Sequence, residues 1–490
     1  MVRRADRGTE MPGQTVFPWS VAASLIAAGC SGGSGTTVDD ADGGDSSVTS
    51  DHVSSEGEEG SFDTADAEPP PVAPPHCGDG VLDPDEECDD GNRLDGDDCD
   101  WLCRLGPGEP VDDTPDPSVA DLERDLPWTS VVSPLPAEDL VYSESLCLLW
   151  TGSAYATVWN LESVDPDGVP RQGAGFRLFD RVGRRVVPDW TYHYPDRVFG
   201  SLDLAWSGRF FALVWSTGGG EDPGCLISAM ILDHVGKPLV GPFTLVEGPR
   251  CGPATVTWDG EAFAAVWRWD DDGGAAIGIA RFDELGSILS VVPSVYEAPF
   301  ARLSARSASS PVATVTAFAE TPEVPPGLDD TCRLGWLAAT RDAELLRPPA
   351  ELGQATTRPM TIEWGERRFG LAFVPAYTPT DAVHLALLDA AGMLVGPVRQ
   401  VCECWLCHQS MAMAWGAGGW VIACDIAPGV GGIIRLMRTD ASGTLVATTD
   451  LGDVSRDRVH AISMAFDGEG FGLLGWTDWG LLFTRYVVVP

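Results

Sequence analysis

Positive charge is scarce in this chain: 31 Lys and Arg stand against 73 Asp and Glu over 490 residues, a formal net charge of −42. That balance argues against nucleic acid as a partner, because phosphate binding needs a basic footprint that displaces counterions, and against anionic lipid surfaces. A membrane-spanning apolar run is also lacking. The N-terminal run VFPWSVAASLIAAG, ending at Gly29, is about 14 residues, short of the roughly 20 that a spanning helix needs. Catalytic signatures are missing too. The 7 histidines form no HExxH or HxH pair of the kind that ligates zinc. The only GxSxG, from Gly29 to Gly33, has no strand-to-helix turn to raise a nucleophilic serine.

What is present divides the chain. Between Ser31 and Asp125 there are 29 Asp and Glu against 3 Arg, with few large apolar side chains. From Leu126 onward, Trp, Phe, Val, Leu and Gly recur in short alternating runs, the composition of a β-rich domain. At this length two or more folded units with linkers are expected. The boundaries read as a signal over 1–29, an acidic Ser/Gly/Pro-rich tether over 30–76, a cysteine-rich module over 77–104, a linker over 105–126 and a β domain over 127–490.

Arg3, Arg4 and Arg7 precede the apolar run, and LIAAGC ends it at Cys30, which reads as an export signal. The ending resembles the lipobox of bacterial lipoproteins: Cys30, Gly29 and Ala28 match, while Ala27 stands where that family favours Leu and Leu25 lies two places earlier. The resemblance implies cleavage before Cys30, diacylglyceryl attachment to it, and, with Ser31 rather than Asp following, the outer membrane as destination, facing the periplasm or the cell surface. The tether has no hydrophobic periodicity and cannot bury enough to fold. As a flexible chain it spans about 35–40 Å on average.

The module CGDGVLDPDEECDDGNRLDGDDCDWLC carries Cys77, Cys88, Cys99 and Cys103. With almost no apolar core it needs cross-links, and two disulfides in one of three connectivities are expected. Through CGDG, EECDDGN and DGDDC in order it resembles the Myxococcus cysteine-rich repeat, which implies a surface or secreted protein of the myxobacterial kind. The cluster Asp89, Asp90, Asn92, Asp95, Asp97 and Asp98 supplies oxygens suited to calcium but lacks the full EF-hand spacing, so a plain acidic loop stands beside the calcium reading.

The β domain repeats itself. LLWTGSAYATVW, LAWSGRFFALVW and VTWDGEAFAAVW share a Trp, a small polar residue, Gly, an aromatic and a second Trp in the same places. Anchored on the first Trp, copies fall at Trp150, Trp206, Trp258, Trp364, Trp415 and Phe466, and the double gap holds a worn copy with Ser307 at the anchor, Val312 at the aromatic place and Thr316 at the second Trp place. Each copy reads as two strands joined by a two-residue turn such as Asp259-Gly260, then a third strand ending in Asp with Gly three residues on, as at Asp233 and Gly236, then a fourth. The worn copy keeps Asp342 and has Leu345 in the Gly place.

Four-stranded meanders repeated about every 50 residues imply a mainly β fold, a seven-bladed β-propeller, with six or eight blades as alternatives. The repeat resembles those of predicted bacterial surface and secreted propellers with DG..F..VW cores. The last copy has only three strands, so WTSVVSPL from Trp128 is expected to complete it. The anchor aromatics are expected to pack between blades.

CECWLCH contains Cys404, Cys407 and His408 in the spacing that attaches c-type haem. Against haem stand the crowded start of a blade and the extra Cys402. The domain holds eight cysteines, the others being Cys147, Cys225, Cys251, Cys332 and Cys424, an even number suited to disulfides, with Cys225 to Cys251 the expected pair. Functionally the sequence points to a monomeric, membrane-anchored module that binds or scaffolds a protein or glycan, with no catalytic residue or metal assigned. The alternatives are a hydrolase or lyase acting on polysaccharide or peptidoglycan at the propeller axis, and a haem electron carrier. Asp, Glu and Arg gathered on the axis would favour the enzyme; a featureless axis would favour binding.

Overall fold

The computed structural model describes residues 121–125, 129–130, 146–164, 170–194, 199–217, 224–248, 251–271, 274–298, 302–321, 331–356, 360–375, 382–403, 410–425, 433–451, 459–477 and 480–489. Cys30, the tether, the cysteine-rich repeat with its Asp cluster, and Cys404, Cys407 and His408 lie outside them.

The described strands form seven antiparallel sheets, six of four strands and a seventh assembled from both ends of the chain. The innermost strands are Cys147–Trp150, Phe199–Trp206, Cys251–Trp258, Arg302–Ser309, Thr361–Gly365, Met411–Gly416 and Val459–Phe466. Each packs beside the next, and the seventh returns to the first. This chain is a seven-bladed β-propeller.

The hydrophobic patterning explains the ring. A blade is apolar on both faces, so it is stable only between two others. The buried side chains accordingly fall into seven clusters, one for each interface between successive blades. Val158, Phe176, Phe211 and Trp215 join blades 1 and 2, and Tyr155, Trp159, Leu474 and Phe483 close blade 7 onto blade 1. The expected role of the repeat aromatics is seen directly, with Trp215 and Trp267 fully buried.

The closure is as expected in kind but begins earlier. Asp121–Arg124 pairs antiparallel with Tyr486 to Val489, and Thr129–Ser130 pairs with Leu482 and Phe483. The outer strand of blade 7 therefore starts inside the stretch assigned to the linker, upstream of residue 127. Asp125 is fixed by Arg485, whose Nη1 lies 2.6 Å from its Oδ2, and the Arg124 guanidinium donates to the Tyr486 hydroxyl at 3.0 Å.

Two local readings need correction. The fourth blade is offset by two residues from the sequence alignment: Ser309 pairs with Thr314 as Trp258 pairs with Phe263, so Ser309 is the anchor and Thr314 takes the aromatic place. Phe318, not Thr316, then holds the second Trp place, and it is fully buried, while Val312 sits in the turn, half exposed. The same offset moves the third-strand turn from Asp342 and Leu345 to Thr340 and Ala343. The Thr340 hydroxyl accepts from the amides of Asp342 and Glu344, as Asp233 accepts from those of Val235 and Lys237, and Ala343 adopts φ 60° where Gly236 has φ 84°.

The first turn is also longer than read. Four residues separate Trp258 from Phe263, and Asp259 bridges them by accepting from the amides of Glu261 and Ala262. A two-residue turn occurs in blade 6, where Ala417 and Gly418 both have positive φ.

Candidate functional site

In an antiparallel meander the first-to-second and third-to-fourth strand turns share one end of the ring, and the remaining connections share the other. The short turns occupy the first end. The segments 218–223, 272–273, 322–330 and 404–409 lie outside the described residues. The expected Cys225–Cys251 disulfide is formed at the other end, with Cα atoms 5.7 Å apart, joining the third strand of blade 2 to the inner strand of blade 3. Cys147, one of the other propeller cysteines, is a free thiol.

Counting back from each anchor, the third residue of the inner strands is Cys147, Asp203, Thr255, Arg306, Thr361, Ala412 and Ser463. Six of these seven are polar, in strands that otherwise bury Leu, Ile, Val, Met and Ala. An inner strand has an edge facing the axis whose backbone groups lack a strand partner, so polar side chains from the neighbouring blade are needed there. Several do this work. Ser463 Oγ accepts from the Leu148 amide at 2.9 Å, Asp203 Oδ2 from the Val256 amide at 2.8 Å, and Cys147 Sγ donates to the Leu204 carbonyl at 3.5 Å. One tier away, Ser201 and Ser410 accept from the amides of Ala254 and Ile462.

The charged members of the axis have a different geometry. Asp203 in blade 2 is within electrostatic reach of Arg306 in blade 4, and Glu363 in blade 5 is within reach of both Asp203 and Cys147 in blade 1. These blades are not neighbours, so the interactions cross the central channel. The Glu363 side chain is exposed to solvent, on the axial side of an inner strand. Burial, with the Asp203 charge adding to it, pushes the Glu363 carboxyl up to about 8. Burial also raises Asp203, against the hydrogen bonds it accepts, and raises the Cys147 thiol well above its ordinary range with Asp203 contributing. A thiol so placed is a poor nucleophile.

The groups differ in how far they are committed. Both Asp203 oxygens are occupied, Oδ1 by the Leu204 amide at 3.0 Å and Oδ2 by Val256. Arg306 makes a single hydrogen bond, 3.2 Å to the Ala305 carbonyl beside it, and Glu363 has no hydrogen-bond partner among the described residues. Thr255 in blade 3 and Ser307 in blade 4 share a hydroxyl hydrogen bond of 2.6 Å. Among the described residues no group of three His, Cys, Asp or Glu is arranged to hold a metal ion. His384 lies outside the axis, half-buried against the Phe373 ring, where burial lowers its pKa.

Sequence reading missed Asp203, Arg306 and Glu363 as axial residues. The column that aligns the first two is visible once the blades are superposed, but the two-residue offset in blade 4 puts Ser304 in the place of Arg306.

No protein-family model matches the chain, and no curated protein does. Solved structures similar to it include the subtype N10 neuraminidase-like protein of A/little yellow-shouldered bat/Guatemala, at 9% identity and TM-score 0.39 over 60% of this chain and 96% of that one. A neuraminidase-like protein from A/bat/Guatemala gives 9% and 0.37 over 59% and 87%. A prolyl endopeptidase gives 13% and 0.41 over 71% of this chain, but only 48% of that chain is covered. At these values the likeness says nothing of what this chain binds or cleaves.

Proposed function

We propose that this is an exported protein, anchored through a lipid on Cys30 in the outer membrane, whose propeller binds a glycan or protein ligand at the axial channel. The observation that carries the reading is the pair of uncommitted charged groups, Arg306 and Glu363, at an axis where Cys147, Asp203, Ser463 and the Thr255 and Ser307 hydroxyls are engaged in joining blades. Polar groups left unpaired in a confined site lose hydrogen-bond free energy unless a ligand or water satisfies them. The Cys225–Cys251 disulfide supports an oxidising compartment, and with it export. The acidic tether gives the propeller reach from the membrane, and the whole acts as a monomer.

A second reading has its own observation. Glu363, pushed up to about 8, carries a proton at neutral pH and is suited to general-acid work in a hydrolase or lyase. Hydrolysis of a glycosidic bond ordinarily uses two available carboxyl groups, however, and both oxygens of Asp203 are already bonded to backbone amides. Axial Asp, Glu and Arg are present as the enzyme reading requires, but only one carboxyl is unengaged.

The two readings separate on a panel of defined neutral and acidic oligosaccharides. Retention on immobilised full-length protein without release of new reducing ends or unsaturated products supports binding. Turnover that Glu363→Gln abolishes while retention persists would replace binding with catalysis. A panel that is neither retained nor cleaved removes glycans as the ligand.

A further inference from the structure

We propose that the propeller lies on a zwitterionic lipid surface by the end that carries its first and third strand turns, with a rim of apolar side chains resting among the headgroups. This rests on the Cys30 anchor reading above and is independent of the axial ligand.

Exposed large apolar side chains are confined to one end of the ring. Among the described residues there are fourteen; all but Val312 follow a third strand, and Val312 sits in a first turn at the same end. A lone exposed Leu needs no explanation, but Val186, Leu239, Leu289, Leu346, Leu394 and Leu445 repeat the exposure at one structural place in blades 1 to 6. Leu285, in the blade 3 turn itself, is 72% exposed. The shape of these turns does not call for apolar tips. It is set by the Asp that accepts the turn amides, as at Asp233 and Asp283, and by the Gly of positive φ.

The turns also stand side by side. A Cβ on Gly286 would lie 2.9 Å from Val240 in blade 2, one on Gly392 2.8 Å from Ala338 in blade 4, and one on Gly443 3.3 Å from Leu385 in blade 5. Each turn is thus seated against the preceding blade, and the apolar tips make one rim. Tips set around one end of a ring meet a flat partner rather than a groove.

Two features of this end select a bilayer as that partner. The chain joins the ring here: Asp121 pairs with Val489, at the end of the third strand of blade 7, so the segment leading back to Cys30 departs from the rim. A lipid on Cys30 therefore draws this end toward the membrane. The exposed cations Arg184, Lys237 and Arg347 stand in the same turns, placed to meet lipid phosphates while the apolar tips enter the interface. The formal charge of −42 repels anionic headgroups, which makes the fitting surface zwitterionic.

The test is hydroxyl-radical footprinting of the full chain, purified from its membrane and reconstituted in phosphatidylcholine–phosphatidylethanolamine vesicles, against the Cys30→Ser chain in buffer. Oxidation of Leu239, Leu285, Leu289 and Met393 is expected to fall about fivefold or more on vesicles, while Trp269 and Tyr296, toward the other end of the ring, stay unchanged. Rim oxidation equal in the two samples overturns the proposal, as does protection spread over both ends. Protection of the Cys30→Ser chain that needs no vesicles and fades on dilution would assign the rim to a second copy instead. The mass of the Cys30 peptide separates the two readings. Without an acyl group the anchor reading fails, and footprinting the unmodified chain mixed with the same vesicles then decides the rim alone.

Discussion

At the residue scale, Glu363 and Asp467 give opposite responses to pH. Glu363 titrates near about 8 in the folded chain and near about 4.3 unfolded, so the folded state holds the proton more tightly. The stability linked to it is fully present below about 4.3 and is lost as pH rises through about 8. Asp203, Cys147 and Arg306 are the other charged or titratable groups across the channel. Glu363→Gln should therefore raise the thermal midpoint relative to the parent more at pH 8.5 than at pH 5, and an equal offset at both would refute the assignment.

Asp467 runs the other way. Burial pushes it up, but hydrogen bonds from both Arg485 and Tyr155 and from the amides of Glu469 and Gly470 outweigh this and hold it below the usual range. Its contribution is present above about 3.9 and is lost as pH falls through the depressed value. Tyr155→Phe removes one charge-assisted bond between blades 1 and 7 and should cost about 1.5–3 kcal/mol. Asp467→Ala removes the bonds from Arg485, Tyr155 and the turn amides together, leaving Arg485 only Asp125 and Glu469 among the described residues, and should cost about 3–5 kcal/mol. Chemical denaturation of both variants checks the order, and a Tyr155→Phe loss as large as that of Asp467→Ala would contradict it.

At the scale of elements, the blades are joined twice. Near the axis, polar side chains bond the inner strand of the next blade. At the turn end, the residue after the third strand docks on the first turn of the preceding blade: Arg181 on the Asp467 carbonyl at 2.7 Å, Ser207 with Glu284 at 2.5 Å, Arg341 on the Asp259 carbonyl at 3.3 Å, and Ser310 on the Ala390 carbonyl at 2.8 Å. The different chemistries at one structural place explain why no motif announced it. Blade 4 shows how drift defeats alignment. Ser309 and Thr314 replace the aromatic pair and Ala343 replaces the turn glycine, so the three strongest landmarks vanish together.

Ala343 pays a conformational cost at φ 60° that glycine would not. Ala343→Gly should stabilise the chain by about 0.5–1 kcal/mol in equilibrium unfolding, and a loss of stability would show that its buried methyl group matters more. Replacing both Cys225 and Cys251 by Ser opens a cross-link with a sequence separation of 26. About 3 kcal/mol of stability should be lost in non-reducing denaturation, whereas an unchanged midpoint would mean the bond constrains little.

For the whole molecule, stability is a property of the closed ring, because each interface between successive blades has its own apolar cluster. Blade 7 takes its outer strand from Asp121–Arg124 and Thr129–Ser130, so the chain's two ends lock each other. A chain starting near Glu138 lacks both strands, the Asp125 bond to Arg485 and the Arg124 bond to Tyr486. It should unfold at a lower temperature by calorimetry, with blade 7 losing amide protection first. Unchanged unfolding would mean that the apolar contacts of Leu474, Phe483 and Tyr155 suffice for closure.

The sequence by itself determined the blade count, the meander within each blade, the closure of blade 7 and the Cys225–Cys251 pair. The blade count, the meander and the disulfide depend on contacts between near neighbours in the chain, which leave periodic patterns of Trp, Gly and Asp. The closure of blade 7 follows from a last copy that is one strand short. Only the tertiary structure decided the register of blade 4 and the earlier start of the closing strand. It alone assembled Cys147, Asp203, Arg306 and Glu363 across the axis. These residues come from four blades, each appearing once, and no local spacing connects them. A ring brings distant segments to one point by closing, and that convergence leaves no periodic trace in the chain.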